Sequence, residues 1–180
     1  MAAARAVAKA ALLLAALATA SCGFQPLHGT SPLGEGVSVH LASIDIVEQK
    51  TRLGQLIRND LLSSMSEPGA SGTRYRLALE AASRTHSTIE VENETEDTRR
   101  FSFRVNAAFR LLDARSGAEL HRGKTFSQVS FDRTASDFSN LQAENDAMER
   151  AAHEIGNDIR TRLAAYFATH ASAGAETAAQ

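Results

Sequence analysis

Alternation of apolar and polar residues predicts four strands in this chain. Residues 37–41 alternate at the period of a half-buried strand, and Ile44 and Ile46 continue with the opposite parity, which predicts a bulge near residues 42–43. Three longer stretches alternate in the same way: residues 75–81, 101–111 and about 119–131. A turn sequence between the last two predicts a hairpin. Gly123 predicts a bend or bulge within the final strand.

Two other stretches have the spacing of helices. After Thr51, a candidate N-cap, apolar residues recur at intervals of three and four up to Met65, and a loop rich in proline and glycine follows. Ser139 and Gln142 resemble a capping box at the start of a longer helix. Its apolar face continues to Phe167, which predicts a helix of about seven turns.

The order of these elements is strand, helix, three strands and helix, within a single domain at residues 37–170. Because each strand of the meander has one apolar face, both helices are expected to cover the same face of the sheet. The prediction is an α+β fold, a two-layer sandwich with about four mostly antiparallel strands and two helices on one side. Polar residues 85–98 predict the far end of a long hairpin or a mobile loop, and residues 171–180 predict a disordered tail.

The sheet face without helices is expected to stay polar and available to a partner. It would carry Arg76, Glu80, Arg104, Asn106 and Arg110. Basic residues cluster on the last two strands, and guanidinium groups suit an anionic lipid headgroup: the cluster is Arg99, Arg100, Arg104, Arg110, Arg122, Lys124 and Arg133. The alternative is that these arginines form ion pairs with the acidic residues between positions 90 and 97.

The start of the chain has the pattern of an export signal. Arg5 and Lys9 precede a short apolar run that ends in small residues directly before Cys22, the single cysteine of the chain. The run is shorter than the roughly 18 to 20 residues that cross a bilayer as a helix. The sequence therefore predicts a lipoprotein signal peptide at residues 1–21, acylation of Cys22 and a lipidated tether at residues 22–36.

An ordinary secretory signal, cleaved after Ala20 or Ser21, is the alternative. It is favoured by Thr19, which stands where a lipoprotein signal usually has leucine. However, a lone cysteine in an exported chain cannot form an internal disulfide, so acylation is the simplest explanation of Cys22. Gly23 follows the cysteine in place of aspartate, which favours transport onward to the outer membrane.

Charge and motifs exclude several classes of function. Removing the leader with its two basic residues leaves 17 basic and 21 acidic residues, a net charge of −4, which argues against nucleic acid as a partner. His153 begins a pattern like the zinc-protease helix, but Asn157 stands where the second histidine must be. No nucleophile-base pattern or metal-ligand spacing occurs, so we expect no catalytic site, metal or cofactor.

Residues 22–29, Cys-Gly-Phe-Gln-Pro-Leu-His-Gly, resemble the start of the mature lipopolysaccharide-assembly lipoprotein family LptE in its alphaproteobacterial form. There the pattern has tyrosine at the position of His28. The rest of the chain, to about residue 168, is similar in the order of its elements.

The resemblance implies a function without catalysis at the inner leaflet of the outer membrane. Members of this family partner and plug the LptD β-barrel, and they assist its assembly and the delivery of lipopolysaccharide to the cell surface. Contacts to lipopolysaccharide are expected at Arg99, Arg100 and Arg133, on the basis of their charge and position near strand ends. An auxiliary lipoprotein of an ABC-type envelope lipid transport system is the first alternative, and a periplasmic hydrolase is the second.

Overall fold

In the computed structural model, residues 36–66, 72–89 and 99–177 are described. They form three helices and four strands, in the order α1 (Val37–Ala42), β1 (Ile44–Ile46), α2 (Arg52–Met65), β2 (Tyr75–Ile89), β3 (Arg99–Asp113), β4 (Glu119–Arg133) and α3 (Asp137–Thr177). This arrangement confirms the predicted α+β class. None of the described helices is long and apolar enough to span a membrane.

One four-stranded sheet has the order β1-β2-β3-β4. β1 pairs with β2 in parallel, and the other two pairings are antiparallel, so the sheet is mostly antiparallel as predicted. The predicted hairpin turn is also confirmed, since Asp113 Oδ1 accepts hydrogen bonds from the backbone N–H of Arg115 (3.0 Å) and Ser116 (2.7 Å). Gly117 adopts φ of +73° at the end of this turn, a conformation that favours glycine.

The hydrophobic core lies between one face of the sheet and the two longer helices. Alternate residues of β3 project into it, and the apolar stripes of α2 and α3 cover them. The fully buried side chains include Val105, Phe109 and Leu111 from β3, Ile57 and Leu61 from α2, and Ile155, Ile159 and Leu163 from α3. Helices therefore cover a single face, as the apolar patterns of the strands predicted.

The prediction of a strand at residues 37–41 is wrong, because these residues form helix α1. Val37 and Leu41 are four residues apart and share one helical face, and both contribute to the core. A short run of this kind fits strand and helix patterns equally. The predicted bulge at residues 42–43 is instead the end of α1, where the Ser43 N–H donates to the Val39 carbonyl at 3.2 Å. The first strand is reduced to Ile44–Ile46.

The start of α2 confirms Thr51 as the N-cap, since its Oγ1 accepts a hydrogen bond from the Gly54 N–H at 3.1 Å. The start of α3 differs from the prediction. This helix begins at Asp137, and the Ser139 N–H donates to Ser136 Oγ at 3.4 Å, so Ser139 lies inside the first turn. At its other end the helical backbone continues to Thr177, beyond the boundary predicted at residue 170.

Two predicted loops fall largely outside the described residues. Most of the loop predicted after α2 lies at residues 67–71, and the acidic part of the polar segment lies at residues 90–98. The first part of that segment confirms the alternative of a long hairpin, because β2 continues to Ile89 and pairs with β3.

Gly123 is required by the packing of an aromatic ring. The pairing of β3 with β4 is regular at this residue, so the predicted bulge at Gly123 is wrong, and the irregularity lies between Leu111 and Leu112. Gly123 is paired with the buried Phe109, and a Cβ atom at Gly123 would come within 2.6 Å of the Phe109 ring. Glycine therefore lets the ring lie across the neighbouring strand.

Replacing Gly123 with alanine is expected to destabilise the domain by about 1–3 kcal/mol, because the buried Phe109 ring must move. Chemical denaturation of wild type and variant measures this difference. The double variant G123A/F109L is the control, since a smaller side chain at 109 relieves the clash. An unchanged unfolding midpoint in Gly123→Ala would show that the core accommodates the extra methyl group.

Candidate functional site

The sheet face opposite the helices, here called the open face, is the candidate binding surface. Strand alternation and the register of β2, β3 and β4 place about twenty side chains on it, most of them polar or small. They are Arg76, Ala78, Glu80, Ala82, Arg84 and His86 from β2, Arg100, Ser102, Arg104, Asn106, Ala108, Arg110 and Leu112 from β3, and Arg122, Lys124, Phe126, Gln128, Ser130 and Asp132 from β4. The five residues predicted for this face are all among them.

The register places cations next to one another on the open face. Arg84 lies opposite Arg104, and Arg110 lies opposite Arg122. Like charges directly opposite each other on neighbouring strands are unfavourable. Within the described residues, Arg84, Arg104, Arg110 and Lys124 have no ion pair. The open face is therefore suited to an anionic ligand or surface that would relieve the repulsion.

Small side chains form a shallow groove between these cations. Two adjoining depressions of about 420 and 430 Å³ share Glu80, Ala108 and Lys124 in their walls. Alanines at positions 78, 82 and 108 contribute to the lining, so the groove is wide and partly apolar. It is open to solvent along its length and has room for an elongated ligand.

Phe126 adds an apolar contact to the groove. Its side chain is 62% exposed, and the Arg104 guanidinium lies 4.8 Å from the centre of its ring. Sequence reasoning did not include Phe126 among the site residues. The sequence did contain a signal for it. Phe126 is even-numbered, whereas Val129 and Phe131 of the same strand are odd-numbered and buried in the core, so Phe126 must lie on the opposite face.

The arginines predicted to bind lipopolysaccharide lie at the far end of the sheet. Arg99 is paired with Arg133 in the register; Arg133 lies on the helix side, beside Glu144 of α3, whereas Arg100 lies on the open face. Arg100 donates from Nε to Asp132 Oδ1 (2.9 Å) and from Nη2 to Asp132 Oδ2 (3.2 Å). The three residues therefore share one end of the sheet, but Arg100 and Arg133 lie on opposite faces of it.

Acidic partners within the chain occupy two of these arginines. The hydrogen bonds from Arg100 hold the pKa of the Asp132 carboxyl below its ordinary value, so Asp132 stays ionised and the pair persists until the pH falls through that lowered pKa. Arg133 Nη2 lies 3.8 Å from the Glu144 carboxylate, and its guanidinium lies 5.1 Å from the Phe101 ring centre. The alternative of ion pairs with residues 90–97 stays a prediction, because those residues lie outside the described part; the partners seen in the described part are Asp132 and Glu144.

His153 has a structural role in the contact between α2 and α3. Its Nδ1 lies 2.7 Å from Asp60 Oδ1, and its Nε2 lies 2.9 Å from Asn157 Nδ2. Both ring nitrogens are therefore engaged within the domain. In the described part of the chain, no group of three or more histidine, cysteine, aspartate or glutamate residues is placed to hold a metal ion.

Comparison with protein families gives a match over most of the chain. The model of the family LptE, described as lipopolysaccharide-assembly, matches residues 37–163. The chain belongs to the LptE family. A search of curated proteins gave no match.

One solved structure of a lipoprotein shares the fold with this LptE-family chain, and two others were found with lower similarity. A crystal structure from Caulobacter crescentus, assigned as a lipoprotein, has 32% identity and a TM-score of 0.61, over 73% of this chain and 96% of that chain. A minor lipoprotein from Acinetobacter baumannii is 12% identical with a TM-score of 0.48, over 68% and 88% of the two chains. Lipoprotein B from Nitrosomonas europaea is 15% identical with a TM-score of 0.46, over 69% and 82%.

The predicted lipidation site lies outside the described residues of this LptE-family member. Cys22, the signal peptide at residues 1–21 and most of the tether at residues 22–36 precede the first described residue, Gly36. Acylation of Cys22 therefore stays a prediction from the sequence.

Proposed function

We propose that the protein is an outer-membrane lipoprotein, anchored through Cys22 on the periplasmic side, that partners and plugs an LptD-type β-barrel. In this role it assists assembly of the barrel and the delivery of lipopolysaccharide to the cell surface. Membership of the LptE family supports the pathway, and the lipoprotein relative at 32% identity supports the envelope location.

The open face is the observation that carries this proposal. A domain that is enclosed by a partner needs a large contact surface. That surface must also tolerate water when the partner is absent. The open face meets this need, since it is predominantly polar and leaves Arg104, Arg110 and Lys124 without an ion pair in the described part of the chain. A barrel lumen is lined with polar side chains. It therefore matches a polar sheet face better than an apolar partner surface would.

Lipopolysaccharide is the proposed ligand because it combines phosphate groups with an apolar body. Arginine binds phosphate with paired hydrogen bonds, and the cations beside the groove are placed to do so. Exposed Phe126 and the alanines of the groove suit the apolar part of such a molecule. Arg99, Arg100 and Arg133 at the sheet end are a second proposed contact, in which phosphate would compete with Asp132 and Glu144.

We further propose that the protein has no catalytic activity. The histidine that begins the zinc-like pattern is held between Asp60 and Asn157, and its role is to join two helices. A transport role needs binding and positioning, which the open face provides without a reacting group.

Depletion of the protein in its native cell tests this function. We expect lipopolysaccharide at the cell surface to fall, together with the amount of correctly assembled barrel, because both steps depend on the partner. Surface labelling of lipopolysaccharide and gel mobility of the barrel measure the two effects. Normal amounts of both after depletion would contradict the proposed function.

A further inference from the structure

One buried hydroxyl of the described residues has no hydrogen-bond partner. The buried polar side chains in that part of the chain are Ser43, Ser102 and Ser127. Ser43 Oγ donates to the His40 carbonyl at 2.8 Å, and Ser127 Oγ donates to Glu154. Ser102 is as buried as Ser127, with 3% exposure each, but its Oγ has no partner. Because an unbonded buried hydroxyl costs free energy, this exception requires an explanation.

Strand alternation places the Ser102 side chain on the open face, because its neighbour Phe103 is buried in the core on the other side of the sheet. The register puts His86 of β2 directly opposite Ser102. Arg104 follows two positions along β3 on the same face, and Arg84 lies opposite it. These four residues with side chains on the open face, here called the Ser102 site, form a rectangle of about 5 Å across the strands by about 7 Å along them.

The hydroxyl of Ser102 forms the floor of this site. Arg84 and His86 are exposed, Arg104 is half-buried, and all three side chains are longer than that of serine. They surround the hydroxyl, which explains its burial on a face that is otherwise open to solvent. Exposed side chains change rotamer rapidly, so they can turn aside and let a ligand reach the floor.

The cations of the Ser102 site have no acidic partner among the described residues. Arg84 and Arg104 lie directly opposite each other, and neither forms an ion pair there. The Arg104 guanidinium lies 4.8 Å from the Phe126 ring centre, and stacking on a ring leaves its in-plane N–H donors free. Arg100, on the other side of the hydroxyl, is already bonded to Asp132. Two guanidinium groups are thus available beside an unbonded hydroxyl.

We propose that the Ser102 site binds a phosphate monoester group. Such a group has three strong acceptor oxygens and a charge of about −1.5 to −2 at pH 7. It would accept a hydrogen bond from Ser102 Oγ and paired hydrogen bonds from Arg84 and Arg104. An imidazole N–H of His86 is the fourth donor. A carboxylate fits this donor set less well, because it has two oxygens and a single charge.

One ligand relieves both unfavourable features of the site. The hydroxyl gains an acceptor, and the charge of the phosphate offsets the repulsion between Arg84 and Arg104. The site deepens the proposed function, because it names the chemical group that this part of the open face recognises. It rests on that function only for the source of the phosphate, which is a lipid headgroup if the open face binds lipopolysaccharide.

Thermal unfolding of the full-length protein in neutral detergent micelles, with and without inorganic phosphate, tests the site. A ligand that binds only the folded state raises the unfolding midpoint, and we expect a rise of about 2–4 °C at concentrations well above Kd. Ser102→Ala should lose this rise. Without phosphate, the same variant should unfold at the wild-type temperature or above it, because alanine removes the unsatisfied hydroxyl.

Ser127→Ala is the matched control. Ser127 is equally buried, but its hydroxyl is bonded to Glu154 of α3. This variant should therefore unfold at a lower temperature without phosphate and should keep the full rise with it. Phosphate salts also stabilise folded proteins in general, and that effect acts on all variants alike.

Arg84→Gln tests the contribution of the cations. We expect it to weaken phosphate binding by about tenfold, because it removes a pair of charged hydrogen bonds. Arg84 is exposed, so the domain should stay folded. Arg76→Gln, on the same strand and the same face but outside the Ser102 site, should leave phosphate binding unchanged.

A short-chain phosphatidic acid distinguishes the two sources of phosphate. It carries the monoester on a lipid, whereas inorganic phosphate has no apolar part. If the natural source is a lipid headgroup, phosphatidic acid should bind at least tenfold more tightly, and Phe126→Ala should weaken its binding without affecting inorganic phosphate. Equal affinity for both, unchanged by Phe126→Ala, would assign the site to free phosphate.

Three results would overturn the site. The first is no phosphate-dependent rise in the wild-type protein, and the second is an equal rise in wild type and Ser102→Ala. The third is a midpoint of Ser102→Ala well below wild type without phosphate, which would mean that the hydroxyl is bonded within the protein. Because these measurements use the protein alone, their failure would not affect the proposed role with a β-barrel, and failure of that role would not affect them.

Discussion

Replacing Cys22 with alanine is expected to abolish acylation and to remove the protein from the outer membrane. A thiol at the cleavage site is needed to receive the lipid, and stable anchoring needs at least two membrane signals such as two acyl chains. We expect the variant to keep its leader, with an intact mass that includes residues 1–21. Mass spectrometry of the protein purified from separated membranes measures both processing and acylation.

Thr19→Leu is the matched control for this experiment. It brings the leader closer to a lipoprotein signal without changing Cys22, so acylation should persist. A wild-type protein that begins at residue 21 or 22 and carries no acyl group would show that the leader is an ordinary secretory signal. That result would contradict the proposed lipid anchor at Cys22, but it would not affect the fold or the open face.

Reversing three charges on the open face, in Arg104→Glu, Arg110→Glu and Lys124→Glu together, is expected to weaken lipopolysaccharide binding by tenfold or more. Hydrogen bonds to charged groups contribute about 1.5–3 kcal/mol each, and tenfold in affinity corresponds to about 1.4 kcal/mol. The side chains are at the protein surface, so the domain should stay folded. Titration with purified lipopolysaccharide measures the affinity, and circular dichroism verifies the fold.

The triple variant Lys50→Glu, Arg52→Glu and Arg115→Glu controls for net charge. It makes the same change in charge at exposed positions away from the open face. The corresponding change at Arg99, Arg100 and Arg133 distinguishes the sheet end from the groove. Equal loss in all three variants would mean that binding depends on net charge alone, and undiminished binding by the groove variant would exclude the open face as the site.

Much of the fold could be predicted from the sequence because its longer elements each have one clear period. In β3, alternate residues from Phe101 to Leu111 are apolar, and the structure buries that face. The stripe of α3 that includes Ile155, Ile159 and Leu163 is likewise fully buried. These patterns extend over ten or more residues, and only one secondary structure fits each of them.

Short elements and tertiary contacts could not be predicted in this way. Residues 37–41 satisfy strand and helix periods alike, and contact with the core selected the helix. The sequence predicted an irregularity at Gly123. The structural reason for glycine is instead the Phe109 ring on the neighbouring strand, a contact that follows only from the register. The ion pair between Arg100 and Asp132 could not be predicted either, because the two residues are far apart in the sequence and only the strand register brings them together.

The candidate site was predicted in part. Alternation in the strands identified the open face and three of its cations, Arg76, Arg104 and Arg110. It did not show that Arg84 faces Arg104, since that contact requires the pairing of β2 with β3. Nor did it show that the hydroxyl of Ser102 beside them lacks a hydrogen-bond partner in the described part, since that follows only from the packed side chains.

Copurification from detergent-solubilised outer membranes tests the central claim most directly. The full-length protein would carry a C-terminal epitope tag, so that the leader and Cys22 are unaltered, and its partners would be identified by mass spectrometry. We expect a large outer-membrane β-barrel of the LptD type in near-equal amount with the tagged chain. Recovery of an inner-membrane ABC transporter without any outer-membrane barrel would contradict the claim and support the alternative of an auxiliary lipid-transport lipoprotein.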